Sequence, residues 1–186
     1  MRKLLLLSAV IAVVCLTACA QKKETKAMSS DKKVLVAYFS ATGVTADAAR
    51  KLAAVTGGDL CEIAPEKPYT AADLDWRDKE SRCYVEMHDL KYRPALKATK
   101  ENVGDYDVIY VGFPIWWNIA PTIVNTFIEA HALEGKTVVP FATSGGSTIA
   151  NSVRELRKAY PGIEWRDGRL LNRMDEEGIR QWVEGM

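Results

Sequence analysis

The sequence predicts an α/β fold: a doubly wound, parallel, five-stranded sheet between two layers of helices. Apolar, strand-like runs alternate with helical stretches along the chain, as they do in parallel sheets. Residues 108–113 are continuously apolar, which is typical of a strand covered on both faces. Loops rich in hydroxyl groups, aromatic rings or glycine follow three of the strands, so the carboxyl edge of the sheet is the expected ligand edge.

Each element has its own signal. Strands are predicted over residues 33–39, 60–63, 108–113, 137–142 and 162–170. Helices are predicted over 44–55, 120–130, 148–160 and 176–184, with Ala48, Leu52 and Val55 at helical spacing in the first. Gly57 ends that helix, and Pro121 suits the first turn of the next one.

Residues 64–105 break this alternation. They contain three prolines, mixed charges and scattered aromatic residues, and only one helix is predicted there, over residues 71–87. A long segment of this kind at a sheet edge either contributes to function or is an addition to the fold without a functional role.

The amino terminus has the pattern of an export signal. Arg2 and Lys3 precede an apolar run over residues 4–16, which is short for a membrane-spanning helix. The sequence Leu-Thr-Ala before Cys19 resembles the lipobox of bacterial lipoproteins, which implies removal of residues 1–18 and acylation of Cys19. The alternatives are a plain signal peptide or an uncleaved anchor. Ala20 follows the cysteine rather than Asp, which favours the outer membrane.

Residues 19–32 are polar and rich in lysine, and they are predicted to be a lipidated amino terminus and flexible tether to a domain over 33–186. Removal of residues 1–18 takes away Arg2 and Lys3, so 23 of the 25 basic residues remain, against 24 acidic residues. This balance gives no electrostatic reason to expect a nucleic-acid partner. Membrane contact is expected through the lipid anchor only.

Two cysteines, Cys61 and Cys83, remain in the predicted domain. An exported protein can join them in a disulfide, but sequence gives no distance between them. Cys61 lies in a strand-like run, so a buried free thiol is its default state. Neither cysteine has the spacing of a metal site, and no metal is expected.

The first of the three loops is Ser-Ala-Thr-Gly-Val-Thr, at residues 40–45. A helix amino terminus carries free N–H groups and partial positive charge, and Ser and Thr hydroxyls add further donors. This combination favours a phosphate guest, and the alternative is an ordinary capped turn. The loop holds no Lys or Arg, so it is not a nucleoside-triphosphatase loop.

The second loop, residues 114–121, offers adjacent indoles, and the third, residues 143–147, offers a Gly-Gly turn. If the strands before these loops are neighbours, all three loops meet where strand order reverses. A flat heteroaromatic ring with a phosphate tail fits that combination. Adjacent tryptophans cannot both point inward from a regular strand, so at least one is expected at a surface or cleft.

Together, Ser-x-Thr-Gly-x-Thr, Pro-Ile-Trp-Trp and Thr-Ser-Gly-Gly-Ser resemble the flavodoxin-like, FMN-binding proteins, and most of all the branch with a Pro-x-Trp-Trp loop. The resemblance covers residue 33 to the end and implies FMN and the strand order 2-1-3-4-5. It implies that the first loop binds the phosphate, the second flanks the isoalloxazine and the third faces its pyrimidine edge. The implied cofactor-binding residues are Ser40, Ala41, Thr42, Gly43, Val44, Thr45, Pro114, Ile115, Trp116, Trp117, Asn118, Thr143, Ser144, Gly145, Gly146 and Ser147.

Asn118 departs from the family pattern, in which many relatives have glycine after the paired tryptophans. Asn tolerates left-handed backbone, so the same turn is expected here. Of the two histidines, His131 is expected to be structural, and His88 either approaches the flavin or is solvated. Arg82 and Arg93 either meet an anionic substrate or lie at the surface.

The functional prediction is a flavodoxin-like redox protein that binds FMN non-covalently. It either transfers electrons or reduces a small acceptor, and the flavin, not a catalytic side chain, carries the chemistry. Electron-carrier flavodoxins are often strongly acidic, and this near-neutral chain lacks that bias. The alternative, from another functional class, is a non-catalytic binding module that has the same fold but no longer binds flavin. The sequence does not identify the redox partner.

Overall fold

The computed structural model describes residues 32–186. The predicted signal peptide, the predicted acylation site at Cys19 and nearly all of the predicted tether lie outside the described residues. No helix within residues 32–186 has the length and apolar character needed to cross a membrane.

The sheet is parallel throughout and has the predicted order. Neighbouring strands follow the path β2-β1-β3-β4-β5, and β6 also pairs with β4. The strands are β1 Val34–Tyr38, β2 Asp59–Glu62, β3 Val108–Pro114, β4 Thr137–Thr143, β5 Glu164–Trp165 and β6 Arg169–Leu170. The helices are α1 Val44–Thr56, α2 Arg82–His88, α3 Thr122–His131, α4 Ala150–Ala159 and α5 Glu176–Glu184.

Alternate residues of the central strands enter two separate cores, which is why these strands are apolar on both faces. On one face, Leu35 and Ile109 pack with Phe127 of α3 and Leu156 of α4. On the other face, residues of α1 and α5 pack against Val36, Tyr110, Val139 and Phe141. The result is the three-layer doubly wound architecture that the alternation predicts.

The predicted fifth strand is not continuous. Val138 pairs with Trp165 and Phe141 pairs with Arg169, so one extra residue lies between the two paired stretches. This break lies beside Pro140 of β4, which has no N–H to donate to a neighbouring strand. The strand therefore divides into β5 and β6 at a bulge.

The predicted helix over residues 71–87 is also wrong in extent. The structure has a single 3-10 turn, Ala72–Leu74, and then α2, which begins only after Ser81. The Ser81 hydroxyl caps α2 by accepting from the N–H of Tyr84. We call residues 64–105 the insert; a second 3-10 turn, Val103–Asp105, ends it. An antiparallel bridge between Pro65 and Leu96 closes the part of the insert that lies between these two residues.

Candidate functional site

The loop after β1 presents the amino end of α1 to solvent. Gly43 occupies the N-cap position with a φ of 90°, and no side chain caps the helix. The Ser40 hydroxyl accepts from the N–H of Gly43 at 3.1 Å and closes the turn. Thr42, Gly43 and Val44 are exposed. Free N–H groups at a helix amino terminus and an exposed hydroxyl are the donors that an anion requires.

Thr45 points elsewhere. Its side chain is buried, and its Oγ1 lies 2.8 Å from Oγ1 of Thr143 at the end of β4. This buried hydroxyl pair joins the first loop to the third. In the structure, Thr42 is therefore the accessible threonine of the loop, and the hydroxyl of Thr45 is engaged within the fold.

The second loop turns back on itself over residues 116–119. Trp116 and Ile119 exchange two backbone hydrogen bonds of 3.0 Å each. Trp117 and Asn118 between them both have positive φ, 45° and 67°, as a type I′ turn requires. The expectation that Asn118 accepts left-handed backbone is confirmed. For Trp117 the same conformation carries strain of roughly 1–3 kcal/mol.

Side chains of α4 hold this turn in place. The carbonyl oxygen of Asn118 accepts from Nδ2 of Asn151 at 2.9 Å and from Oγ of Ser152 at 3.4 Å. The N–H of Ile115 donates to the Thr143 carbonyl oxygen at 2.9 Å. The aromatic loop is thus fixed to both its neighbouring strand and a helix.

The two indoles have different surroundings. Trp116 is half-buried and meets Phe39 and Tyr69 edge-on, with 5.5 Å between ring centroids in each case. Trp117 is 39% exposed and packs edge-on against Tyr84 and His88 of α2. The expectation that at least one indole lies at a surface or cleft is confirmed.

A mainly apolar cavity of about 440 Å³ lies between the first two loops and the insert. Its lining residues are Ala41, Thr42, Leu74, Trp76, Cys83, Pro114, Ile115, Trp116 and Trp117. Six of these belong to the predicted loops. The other three, Leu74, Trp76 and Cys83, come from the insert, and the helix predicted over residues 71–87 did not assign them to the site.

The third loop does not line this cavity. It is a tight turn in which the Ser144 hydroxyl accepts from the N–H groups of Gly146 and Ser147. Asn172, which follows β6, accepts from the Ser144 N–H at 2.9 Å and donates to the Ser144 carbonyl oxygen. Sequence analysis missed Asn172, because its partner lies 28 positions away.

Other residues singled out in the sequence have structural partners. Arg82 forms an ion pair with Glu86 and Arg93 forms one with Glu129, so both are engaged within the protein. His88 stacks on Tyr84 at 3.7 Å, and Nδ1 of His131 lies 2.7 Å from the Phe127 carbonyl oxygen. Cys61 and Cys83 are free thiols.

The fold and its loops define an α/β domain with an uncapped helix amino terminus beside an aromatic cavity. A family model described as flavodoxin matches residues 33–186, and the chain belongs to that family. No curated protein matches the sequence.

Several solved structures are similar. A candidate flavoprotein from Bacteroides eggerthii is 63% identical, with a TM-score of 0.81 over 83% of this chain and 98% of that one. A candidate flavoprotein from Bacteroides uniformis is 57% identical, with a TM-score of 0.80 over 82% and 98%. A Lactobacillus acidophilus flavoprotein in complex with FMN shares the fold at 20% identity, with a TM-score of 0.65 over 82% and 99%.

Proposed function

We propose that this protein binds FMN non-covalently and acts as a redox protein of the cell envelope, either transferring electrons or reducing a small acceptor. The observation that carries the proposal is the junction of an uncapped, hydroxyl-bearing helix amino terminus with a tryptophan-lined cavity. The FMN complex of the L. acidophilus protein, which has the same fold, supports the choice of flavin.

Each of the three loops suits a different part of FMN. Ser40, Thr42 and the N–H groups around Gly43 would hold the phosphate, which gains from the partial positive charge of α1. Pro114 to Asn118 would flank the ring system, and the turn from Ser144 to Ser147 would face its pyrimidine edge. Indole faces exclude water from a flat ring and stack on it.

Bound FMN would supply reversible one- and two-electron chemistry, and the protein would set its position and potential. The apolar walls disfavour a negative charge on the reduced ring because they solvate it poorly. The Gly145 N–H of the third loop would oppose this effect by donating to the ring's polar edge, because the N–H groups of Ser144, Gly146 and Ser147 are engaged within the protein. No side chain of the described residues is needed as a nucleophile in this proposal.

The first test is the colour of the purified protein. We expect a yellow protein with a flavin absorption band, and stoichiometric recovery of FMN after denaturation. A colourless protein that does not take up FMN in a fluorescence titration would show that the fold is retained without the flavin. Riboflavin, which lacks the phosphate, is the matched ligand for measuring the contribution of the first loop.

Thr42→Ala is expected to weaken FMN binding by roughly 1.5–3 kcal/mol and riboflavin binding very little, because a hydrogen bond to a charged phosphate is lost. Thr45→Ala instead leaves Thr143 without its buried partner and is expected to lower the free energy of unfolding by about 1–3 kcal/mol. Titration with both ligands and urea unfolding measure the two effects. Equal losses of FMN and riboflavin in Thr42→Ala would contradict a phosphate contact.

We also propose that the protein is exported and anchored to the membrane, most simply the outer membrane, by acylation of Cys19. Several acyl chains anchor a protein durably, whereas one chain binds marginally. Cys19→Ser is therefore expected to abolish palmitate incorporation and to release the protein from the membrane fraction. Unchanged labelling of this variant would contradict the lipobox, and Cys15→Ser is the matched control.

A further inference from the structure

A buried carboxylate lies at the centre of the insert. Glu86 is only 2% exposed, and one of its oxygens accepts from Nε of Arg82 at 2.6 Å. The other oxygen accepts from the hydroxyl of Tyr69. Arg82 also donates to the Lys67 carbonyl oxygen at 2.6 Å, and its guanidinium lies 4.0 Å above the centre of the Tyr69 ring. Both oxygens of the carboxylate are thus engaged, as burial requires.

The same tyrosine touches the wall of the cavity. The Tyr69 ring meets the Trp116 indole edge-on, with 5.5 Å between centroids, and Trp116 lines the cavity. Tyr69 itself is absent from the lining. The Trp116 indole therefore connects the cavity to the Tyr69 ring by van der Waals contact. The Tyr69 hydroxyl in turn donates its proton in a hydrogen bond to the Glu86 carboxylate.

The other tyrosines of the described residues lack this combination. Tyr110 packs on Trp182 at 5.9 Å, but no hydrogen bond involves its hydroxyl, and burial raises its pKa to about 12. Tyr160 donates to Glu129 at the exposed surface, away from the cavity lining. Within residues 32–186, only Tyr69 contacts a cavity tryptophan and also donates to a buried carboxylate.

We propose that Tyr69 is a redox-active residue that donates an electron to Trp116 when a one-electron oxidant has oxidised the indole. In the step, a high-potential one-electron oxidant in or near the cavity, such as an oxygen-centred radical or the tris(bipyridine)ruthenium(III) ion, takes one electron from Trp116, and Tyr69 returns one electron to the indole. The phenolic proton passes to Glu86, which becomes a neutral acid. The products are restored Trp116, a neutral tyrosyl radical and the reduced oxidant, so charge and protons balance.

The surroundings of Tyr69 suit this role. A phenol that loses an electron becomes strongly acidic, so oxidation needs a base within hydrogen-bond reach, and Glu86 is in place. Burial and the neighbouring carboxylate raise the pKa of Tyr69, so the phenol keeps its proton until oxidation. The Arg82 guanidinium balances the charge of Glu86 beforehand. The step does not require FMN, since any sufficiently strong one-electron oxidant at Trp116 would drive it.

The test is electron paramagnetic resonance of the purified protein after oxidation with photogenerated tris(bipyridine)ruthenium(III), with a cobalt(III) ammine as terminal electron acceptor. We expect a neutral tyrosyl signal that narrows when the protein carries ring-deuterated tyrosine. Tyr69→Phe keeps the ring and should lose most of this signal. Trp116→Phe, which removes the relay, should lower it as well.

Glu86→Gln tests the proton transfer separately, because the amide oxygen can still accept from the Tyr69 hydroxyl but is a far weaker base than the carboxylate. We expect less tyrosyl radical and more tryptophan radical in this variant. Tyr110→Phe removes a buried tyrosine beside a tryptophan and is the matched control, with an unchanged signal expected. A wild-type signal in Tyr69→Phe would overturn the proposal, as would an unchanged radical yield in folded Glu86→Gln. Thermal melts of every variant separate these results from unfolding.

Discussion

Trp116→Ala is expected to destabilise the protein and to weaken FMN binding together. The indole contacts Phe39 and Tyr69 on its inner side and the cavity on its outer side. Because the side chain is half-buried, we expect a loss of about 2–3 kcal/mol in the free energy of unfolding, below the 3–5 kcal/mol of a fully buried aromatic residue. Urea unfolding and fluorescence titration with FMN measure the two losses.

Trp117→Ala is the matched comparison, because this indole is more exposed and has left-handed backbone. We expect little change in stability. Loss of a stacking ring should weaken FMN by roughly 0.5–1.5 kcal/mol beyond the buried area. It should also brighten the bound flavin and raise its reduction potential, because the reduced anion becomes better solvated. If both variants keep native affinity, fluorescence and potential, the aromatic loop is not the ring site.

Gly112→Ala is expected to have the largest effect on the fold itself. A Cβ built on Gly112 of β3 lies 2.1 Å from Cζ of Phe141, which is fully buried in the neighbouring strand. The phenyl ring covers the glycine, and two further ring atoms lie within 2.6 Å of that position. Overpacking of this severity should cost about 3 kcal/mol or more in the free energy of unfolding.

Gly104→Ala is the control for this prediction, since nothing lies within 4 Å of a Cβ at Gly104. The double variant Gly112→Ala with Phe141→Leu should recover part of the loss, because the two side chains compete for one space. Urea unfolding of the wild type, the single variants Gly112→Ala and Phe141→Leu, and the double variant gives the coupling energy. If Gly112→Ala is as stable as Gly104→Ala, the packing of Phe141 over β3 is wrong.

The sheet could be predicted because its signals are local and repeat. Apolar runs such as β3 identify buried parallel strands, and the short connections after them place the loops at one edge. The break between β5 and β6 was missed although Pro140 stands in the predicted fourth strand. Its effect appears in a neighbouring strand, and only the pairing register reveals it.

Part of the site could also be predicted, because the signals for that part are local in the sequence. The positions of Thr42, Trp116 and Trp117 on the cavity follow from strand ends and turn chemistry. The burial of Thr45 depends on Thr143, 98 positions later. Leu74 and Trp76 line the cavity from the part of the insert where a continuous helix was wrongly predicted, and only tertiary packing brings them there.

The divided outer strand has a consequence beyond topology. A sheet edge with a long row of free backbone donors and acceptors is a template on which a second copy can add a strand and begin aggregation. Here β5 and β6 are two residues each and are separated by a bulge, so this edge lacks a straight run of pairing groups. A second copy of the molecule therefore finds no template at this edge on which to add a continuous strand.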